Sequence, residues 1–370
     1  MKGAGVVALV RCAAYSDAAA ALARAAGLLG GLPFEKGARV LLKPNIVLGT
    51  APEKATCTHP DVLAAAARHV SAQGALPFVG ESPGGPFSAA WVGHSLRASG
   101  IEKAVLQAGA SINSDFSTVE VDFPEGAALR RIPMCSFARS ADAIVNVCKL
   151  KTHGMMTYTG AVKNLFGLVP GTRKAELHAR FPDIPRFAAQ INDIALCTGE
   201  ALHIMDAVVG MEGEGPSHGQ PRHVGTLLIS RDPWALDHIA SGMIGLLPEH
   251  VPILADAIAR GLYDPAAVTV VGDDPSEFAC AFQLPFARRH PGTSQGKAIT
   301  VLSDAKPGID KKRCVGCARC KDACPAQAIQ MRGRVPHIDH KQCVRCYCCQ
   351  ELCPQGAVQV KASFLARFAK

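Results

Sequence analysis

Eight cysteines near the C-terminus recur in two copies of one pattern, Cys314-x2-Cys317-x2-Cys320-x3-Cys324-Pro325 and Cys343-x2-Cys346-x2-Cys349-x3-Cys353-Pro354. The two-residue gaps let three sulfurs of one tight loop cap a face of an iron–sulfur cubane, and the fourth cysteine of each run reaches to the other cluster. On that rule Cys314, Cys317, Cys320 and Cys353 hold one [4Fe-4S] cluster, and Cys343, Cys346, Cys349 and Cys324 a second. Paired zinc knuckles are the alternative, because two C-x2-C spacings also suit tetrahedral zinc. Zinc leaves the third cysteine of each run, and the proline after the fourth, without a role. A chain built on such clusters moves single electrons.

The flanks repeat as well: Ile309-Asp310 returns as Ile338-Asp339, Lys312 as Lys341, Val315 as Val344 and Ala328-Ile329 as Ala357-Val358, a fixed offset of 29 residues. This duplicated half-domain resembles the bacterial two-cluster ferredoxin over residues 306–361. Residues 306–370 carry 13 Lys and Arg against 4 Asp and Glu, while residues 1–305 carry 26 against 27. Each oxidised cubane with its four thiolates brings about two negative charges and offsets part of that excess. What remains is a mildly basic face suited to an acidic redox partner such as a ferredoxin or flavodoxin. Aromatic and basic residues do not interleave as they do in single-strand binders, so no nucleic acid is expected.

Fifteen cysteines suggest disulfides in a secreted chain, but eight are claimed by clusters assembled in reducing cytosol. Val6–Val10 is too short for a signal h-region, and no apolar run approaches the ~20 residues that span a bilayer. A cytoplasmic protein is expected, with no membrane span; homodimer formation is open. Cys12, Cys57, Cys135, Cys148, Cys197 and Cys280 lack ligand spacing and read as small buried hydrophobes. Cys348, beside Cys349, reads as a spare thiol that a shift in register would bring into the cluster.

Residues 1–300 alternate short aliphatic runs with Ala-rich helical stretches. Strands are expected at Val6–Val10, Arg39–Leu42, Pro77–Gly80, Ala143–Val147, Ala201–Met205, Thr226–Ile229 and Val268–Val271, with helices at Asp17–Leu29 and Pro60–Gln73. That alternation predicts an α/β fold: a mainly parallel sheet with helices on both faces, followed by a small α+β ferredoxin-like unit at 308–361. Residues 285–307 read as a linker, and 362–370 as an amphipathic tail.

In parallel α/β sheets, ligands bind beyond the carboxyl ends of strands. Four expected strands end in polar groups: Lys43-Pro44-Asn45, Glu81-Ser82-Pro83, Lys149-Leu150-Lys151-Thr152-His153 and Asp206. Each has an ordinary reading as a solvated lysine or a helix-capping carboxylate; together they suggest one rim. Lys149 and Lys151 alternate and share a face. Beyond them a Gly- and Thr-containing loop leads to Ala161-Val162-Lys163-Asn164, a helix start with a lysine in its first turn. Cations, hydroxyls and a helix N-terminus together suit a carboxylate or phosphate. Neither a Walker lysine pattern nor G-x-G-x-x-G follows any strand, so there is no NAD or flavin motif, and the anion is expected on a small substrate. The Gly-rich stretch Asp206–Gly219, containing Glu212, reads as a surface or binding loop. Asp237 is open to capping, to pairing with a lysine or to binding metal.

Lys43-Pro44-Asn45, Thr58-His59-Pro60, Gly80-Glu81-Ser82-Pro83, Lys149 through His153, Gly160 through Gly167 and Asp206 through Pro216 together resemble the family known as domain of unknown function 362. The resemblance spans about 39–240 and implies an iron–sulfur protein, often with a C-terminal two-cluster ferredoxin, and no common reaction. The residues themselves suggest a reductase. Lys149, Lys151 and Lys163 would bind a substrate carboxylate beside Asn45 and Asn164. His153, His178, Lys151 or Lys43 would supply protons. Glu81, Asp206, Glu212 and Asp237 would orient those cations, or hold a divalent metal with His153. An electron carrier or a cofactor-assembly protein without a reduction of its own is the alternative, and a lyase with structural clusters a more remote one.

Overall fold

A computed structural model describes residues 5–289 and 305–361. In the α/β unit the strands are β1 (Val6–Arg11), β2 (Arg39–Pro44), β3 (Leu76–Val79), β4 (Ser111–Ile112), β5 (Thr118–Asp122), β6 (Arg131–Cys135), β7 (Ala143–His153), β8 (Thr157–Thr159), β9 (Leu202–Glu212), β10 (Gln220–Ser230) and β11 (Thr269–Gly272). Nine of them form one sheet in the order β11-β1-β10-β9-β7-β2-β3-β4, with β8 paired to the far end of β7. Pairing is parallel from β9 through β7, β2 and β3 to β4, and again between β1 and β11; β10 runs antiparallel to both neighbours. β5 and β6 form a separate ribbon.

Near-continuous aliphatic runs mark strands buried on both faces. Alternate residues of β1 and β2 feed opposite cores: Val7, Leu9 and Leu41 on one face, Ala8, Val10, Val40 and Leu42 on the other. The helix Pro60–Ser71 starts at its proline, with the His59 ring accepting from the Asp61 amide. All seven expected strands are present, but β7 and β9 are eleven residues long where about five were expected. Lys149, Lys151, His153 and Asp206 therefore sit on strands and not beyond their ends. The reason is β10, which hairpins back on β9 and keeps the ladder paired past the apolar run.

The helix expected after Gly160 is a single turn, Ala161–Asn164, continued by a 3-10 turn through Leu168. Its cap comes from elsewhere in the chain. Asp237, in the helix Pro233–Met243, accepts hydrogen bonds from the amides of Ala161 (2.6 Å) and Val162 (3.0 Å) and from the Tyr158 hydroxyl (3.0 Å). Burial, opposed by these bonds, raises its pKa to about 7.

The C-terminal unit holds two short ribbons, β12 (Lys306–Ile309) with β15 (Val358–Lys361) and β13 (Ile329–Arg332) with β14 (Val335–Ile338), and two one-turn helices, Arg319–Asp322 and Cys348–Glu351. The sequence repeat is also a backbone repeat. Gly316 and Arg345, Ala318 and Tyr347, and Gln327 and Gly356 are left-handed pairs, each 29 residues apart. From the expected linker, Phe286–Arg289 forms a helical turn; 290–304 and the tail 362–370 lie outside the described residues.

The two units pack closely. Tyr347 joins the α/β core and donates to the Ala305 carbonyl. The His218 ring Nε2 lies 2.9 Å from the Gln350 carbonyl, and Gln350 donates to Glu214. A Cβ on Gly84 would stand 2.8 Å from the terminal methyl of Leu352, which would have to shift to make room.

Asp237→Ala leaves three buried donors without an acceptor, at ~1–3 kcal/mol each. The expected loss is about 3 kcal/mol or more in urea unfolding, and Asp237→Asn, which keeps one acceptor oxygen, should lose less.

Candidate functional site

Two small chambers in the C-terminal unit are each lined by four cysteines. One is bounded by Cys314, Cys317, Cys320 and Cys353, the other by Cys324, Cys343, Cys346 and Cys349. The amides of Ala328 and Ala357 donate to the sulfurs of Cys324 and Cys353, each at 3.2 Å. Amide donors lower the cost of a thiolate. The left-handed residues in both loops turn backbone amides into anion-binding concavities of the kind found around iron–sulfur sites. Four sulfurs per chamber, one of them in each with an amide donor, fit cubanes.

A cavity of about 520 Å³ lies between the two units. The α/β unit contributes Asn45, Glu81, Trp91, Lys163, Asn164, Phe166, Lys174 and His178 to its walls. The C-terminal unit contributes Arg319, Asp322 and Ala323 from one one-turn helix and Cys348, Glu351 and Leu352 from the other. These two triplets are 29 residues apart, so the duplicated half-domains cover the cavity with equivalent positions.

Most cations around the cavity are held. Lys43 is fully buried and donates to Glu81 at 2.5 Å; burial raises the Glu81 pKa against the pull of Lys43. Lys174 donates to the Ser82 carbonyl, and burial lowers its pKa to about 8. Lys151 stands behind Asn45, donating to Asn45 Oδ1 (2.6 Å) and to the carbonyls of Thr56 (2.7 Å) and Pro216 (3.4 Å). Burial, reinforced by Lys149 and Lys163, brings its pKa to about 7. Asn45 donates to Asn164, which donates to Asn146, itself 2.9 Å from His203 Nδ1, so one hydrogen-bonded chain fixes both cavity asparagines. Lys163 differs: its ammonium makes no hydrogen bond among the described residues, lies 5.9 Å from the centre of the Phe166 ring, and is attracted most by the charge of Glu351. Arg319, stacked on Trp91, likewise makes no hydrogen bond among the described residues.

His153 Nδ1 accepts from the Met155 and Met156 amides, which places its proton on Nε2. Nε2 lies 3.3 Å from Glu351 Oε1, off the axis of a hydrogen bond, and both atoms are buried without another partner. Burial drives His153 well below its usual pKa and raises that of Glu351. His178, stacked on Phe187 at 4.3 Å, is pushed by burial to about 3 and is neutral at pH 7; its Nδ1 has no partner.

Of the site residues expected from sequence, Asn45, Glu81, Lys163, Asn164 and His178 line the cavity; Lys43, Lys151 and His153 each stand one contact behind it. Lys149 and Asp206 pair with each other at 2.8 Å, and Asp206 also takes the Tyr15 hydroxyl and the His59 amide. They brace the sheet and do not line the cavity. Glu212 accepts from the Gln283 amide, and Asp237 is a cap. The carboxylates expected to hold a divalent metal with His153 are thus engaged separately. Among the described residues the grouping at metal-ligand spacing is His178, Cys346 and Cys348. Trp91, Lys174, Arg319, Cys348 and Glu351 were not singled out as site residues from sequence; Lys174 sits on an ordinary amphipathic helix, and the others depend on how the units dock.

An α/β unit with a cavity closed by a ferredoxin-like unit defines the class. Residues 40–242 match the family described as Domain of unknown function (DUF362), and 313–357 match the 4Fe-4S dicluster domain. The chain belongs to the DUF362 family. It is 35 % identical over 246 residues to the Thylakoid-associated protein sll1697 of Synechocystis sp., covering 65 % of this chain and 74 % of that one. The lactate racemase apoprotein from Thermoanaerobacterium thermosaccharolyticum is 12 % identical with a TM-score of 0.39, covering 66 % of this chain and 57 % of that one. The ferredoxin domain makes this an iron–sulfur, electron-transfer protein. No helix among the described residues is long and apolar enough to cross a membrane.

Lys174 is charged below a pH of about 8 and neutral above it. A carboxylate titrated into the cavity should therefore bind more weakly as pH rises from 7 to 9. Lys174→Met should bind more weakly at pH 7 and lose the inflection near 8; calorimetry at several pH values checks both.

Proposed function

We propose that the chain is a cytoplasmic iron–sulfur reductase that holds a small, carboxylate-bearing substrate in the cavity between its two units. The observation that carries this reading is the shared wall: Lys163, a cation without a hydrogen bond, faces the same space as Cys348 and Glu351, which flank the cysteines assigned to one cluster. Two [4Fe-4S] clusters, bound by the two cysteine sets above, supply one electron each, enough for a two-electron reduction without a flavin.

The protein's own residues bind and protonate. Lys163 neutralises the carboxylate, and Asn45 and Asn164, fixed by their hydrogen-bonded chain, offer directional contacts. His153, neutral, turns its Nε2–H toward Glu351 and so orients that carboxyl at the cavity wall. Lys151, poised near neutrality, holds a transferable proton behind Asn45. Closure by the C-terminal unit excludes water and strengthens each electrostatic contact.

Electrons enter from an acidic carrier such as a ferredoxin or flavodoxin. Around exposed Cys317, Val315 is 51 % exposed and Lys311, Lys312, Arg313 and Arg334 are exposed. Complementary charge at such a face speeds encounter.

The test uses anaerobically purified chain carrying about eight irons, reduced with dithionite and mixed with a panel of carboxylates while visible absorbance is followed. At least one should restore the oxidised spectrum, and Lys163→Met should slow that about tenfold or more with iron content unchanged. The reading fails if no anion reoxidises the chain or if Lys163→Met reoxidises at the parent rate.

A further inference from the structure

Three features of the cavity bear on the kind of molecule it takes. The first is size. About 520 Å³ lies in the range that encloses drug-sized ligands, far more than a two-carbon acid fills. A small acid would leave water around the charge that closure is built to exclude.

The second is the division of the walls. Trp91, Phe166, Leu352, Ile46, Val47 and Pro86 form an extended apolar surface. Trp91 is held in place: its Nε1 donates to the Gly84 carbonyl at 3.0 Å, and Arg319 of the C-terminal unit stacks over its ring at 5.0 Å. Phe166 is fixed edge-on against His178 and Phe187. Rigid rings at a cavity wall suit a flat apolar partner.

The third is the charge balance. Lys43 is neutralised by Glu81, and Lys174 is engaged with Ser82, which leaves Lys163 and the Trp91-stacked Arg319 as the wall cations without a hydrogen bond among the described residues. Arg319 lies on the same helical turn as Asp322, and Glu81 and Glu351 are also wall residues. Lys163, Lys174 and Arg319, with Lys43 behind them, stand against Glu81, Asp322 and Glu351, an excess of one positive charge. A single carboxylate matches it and a phosphate dianion exceeds it. The unpartnered Nδ1 of neutral His178 adds a hydrogen-bonding position without charge.

We propose that the cavity is a site for a monocarboxylate carried on a planar, apolar ring system, the carboxylate on Lys163 and the rings against Trp91, Phe166 and Leu352. This rests on the reductase reading for the place of the substrate and names its class. The ligand spans both units, so its binding also holds them together.

The experiment is calorimetric titration of the oxidised, cluster-loaded chain with 2-naphthoate, 2-naphthamide, acetate and 2-naphthyl phosphate. Naphthoate should bind about tenfold or more tightly than each of the others, since one charge-assisted contact is worth at least that. Lys163→Met should bring naphthoate down to the amide, Lys163→Arg should restore most of the difference, and Trp91→Ala should weaken naphthoate while leaving acetate unchanged. Iron content and absorbance confirm that each variant is folded. Equal binding of naphthoate and naphthamide, tighter binding of the phosphate, or indifference to Lys163→Met would overturn the proposal. The titration reads binding without electron transfer. If naphthoate does not bind but another anion reoxidises the reduced chain, this inference alone fails. If naphthoate binds and nothing in the panel reoxidises the chain, the reductase reading alone fails.

Discussion

The seating of the loop Cys346–Cys353 on the end of β7 is the constraint on which the site depends. With two residues between Cys346 and Cys349, the chain turns so that Tyr347 adopts φ 62°, a left-handed conformation uncommon for an aromatic residue. The cost is offset because the same turn drives the Tyr347 ring into the α/β core and starts the one-turn helix that carries Cys348, Gln350, Glu351 and Leu352 to the interface. Gln350 then binds Glu214 and His218, Leu352 meets Gly84, and Glu351 reaches His153. The cysteines assigned to one cluster and the contacts that dock the two units thus share one loop.

The duplication explains how a symmetric unit makes an asymmetric site. Arg319, Lys321 and Asp322 in the first helix correspond to Cys348, Gln350 and Glu351 in the second. The backbone is the same, but the first copy keeps the charges of a surface turn while the second trades two of its three for groups that tolerate burial. Lys321 is exposed, whereas Gln350 is buried and hydrogen-bonded. Both halves therefore line the cavity, the first with charged groups of a partly exposed turn and the second with groups packed against the α/β unit.

Much of this was legible in the chain. The cysteine spacing and its 29-residue echo stand on covalent geometry that no packing can override. The sheet strands were visible because parallel strands buried on both faces are runs of Val, Leu and Ile. The lengths of β7 and β9 were not, since Lys149, Lys151 and Asp206 interrupt the apolar pattern; they are tolerated inside the ladder because each finds a buried partner contributed from far away in sequence. The role of Asp237 was similarly hidden, as its two amides lie 75 and 76 residues upstream. Trp91, Arg319 and Glu351 acquire meaning when two units dock, and no local pattern encodes docking.

The buried lysines separate support from binding by the same physics. An ammonium removed from water needs acceptors or a counter-ion, and Lys43, Lys149 and Lys151 have them: Glu81, Asp206, and three oxygens respectively. Such groups gain little from a ligand, because a ligand would have to compete with partners already in place. Lys163 has no such set, and burial depresses its pKa while Glu351 alone pulls the other way among its neighbouring carboxylates. In the proposed role, a carboxylate arriving in the cavity would give the half-buried Lys163 the acceptor that the protein itself does not supply, and its charged contact would be concentrated on that residue.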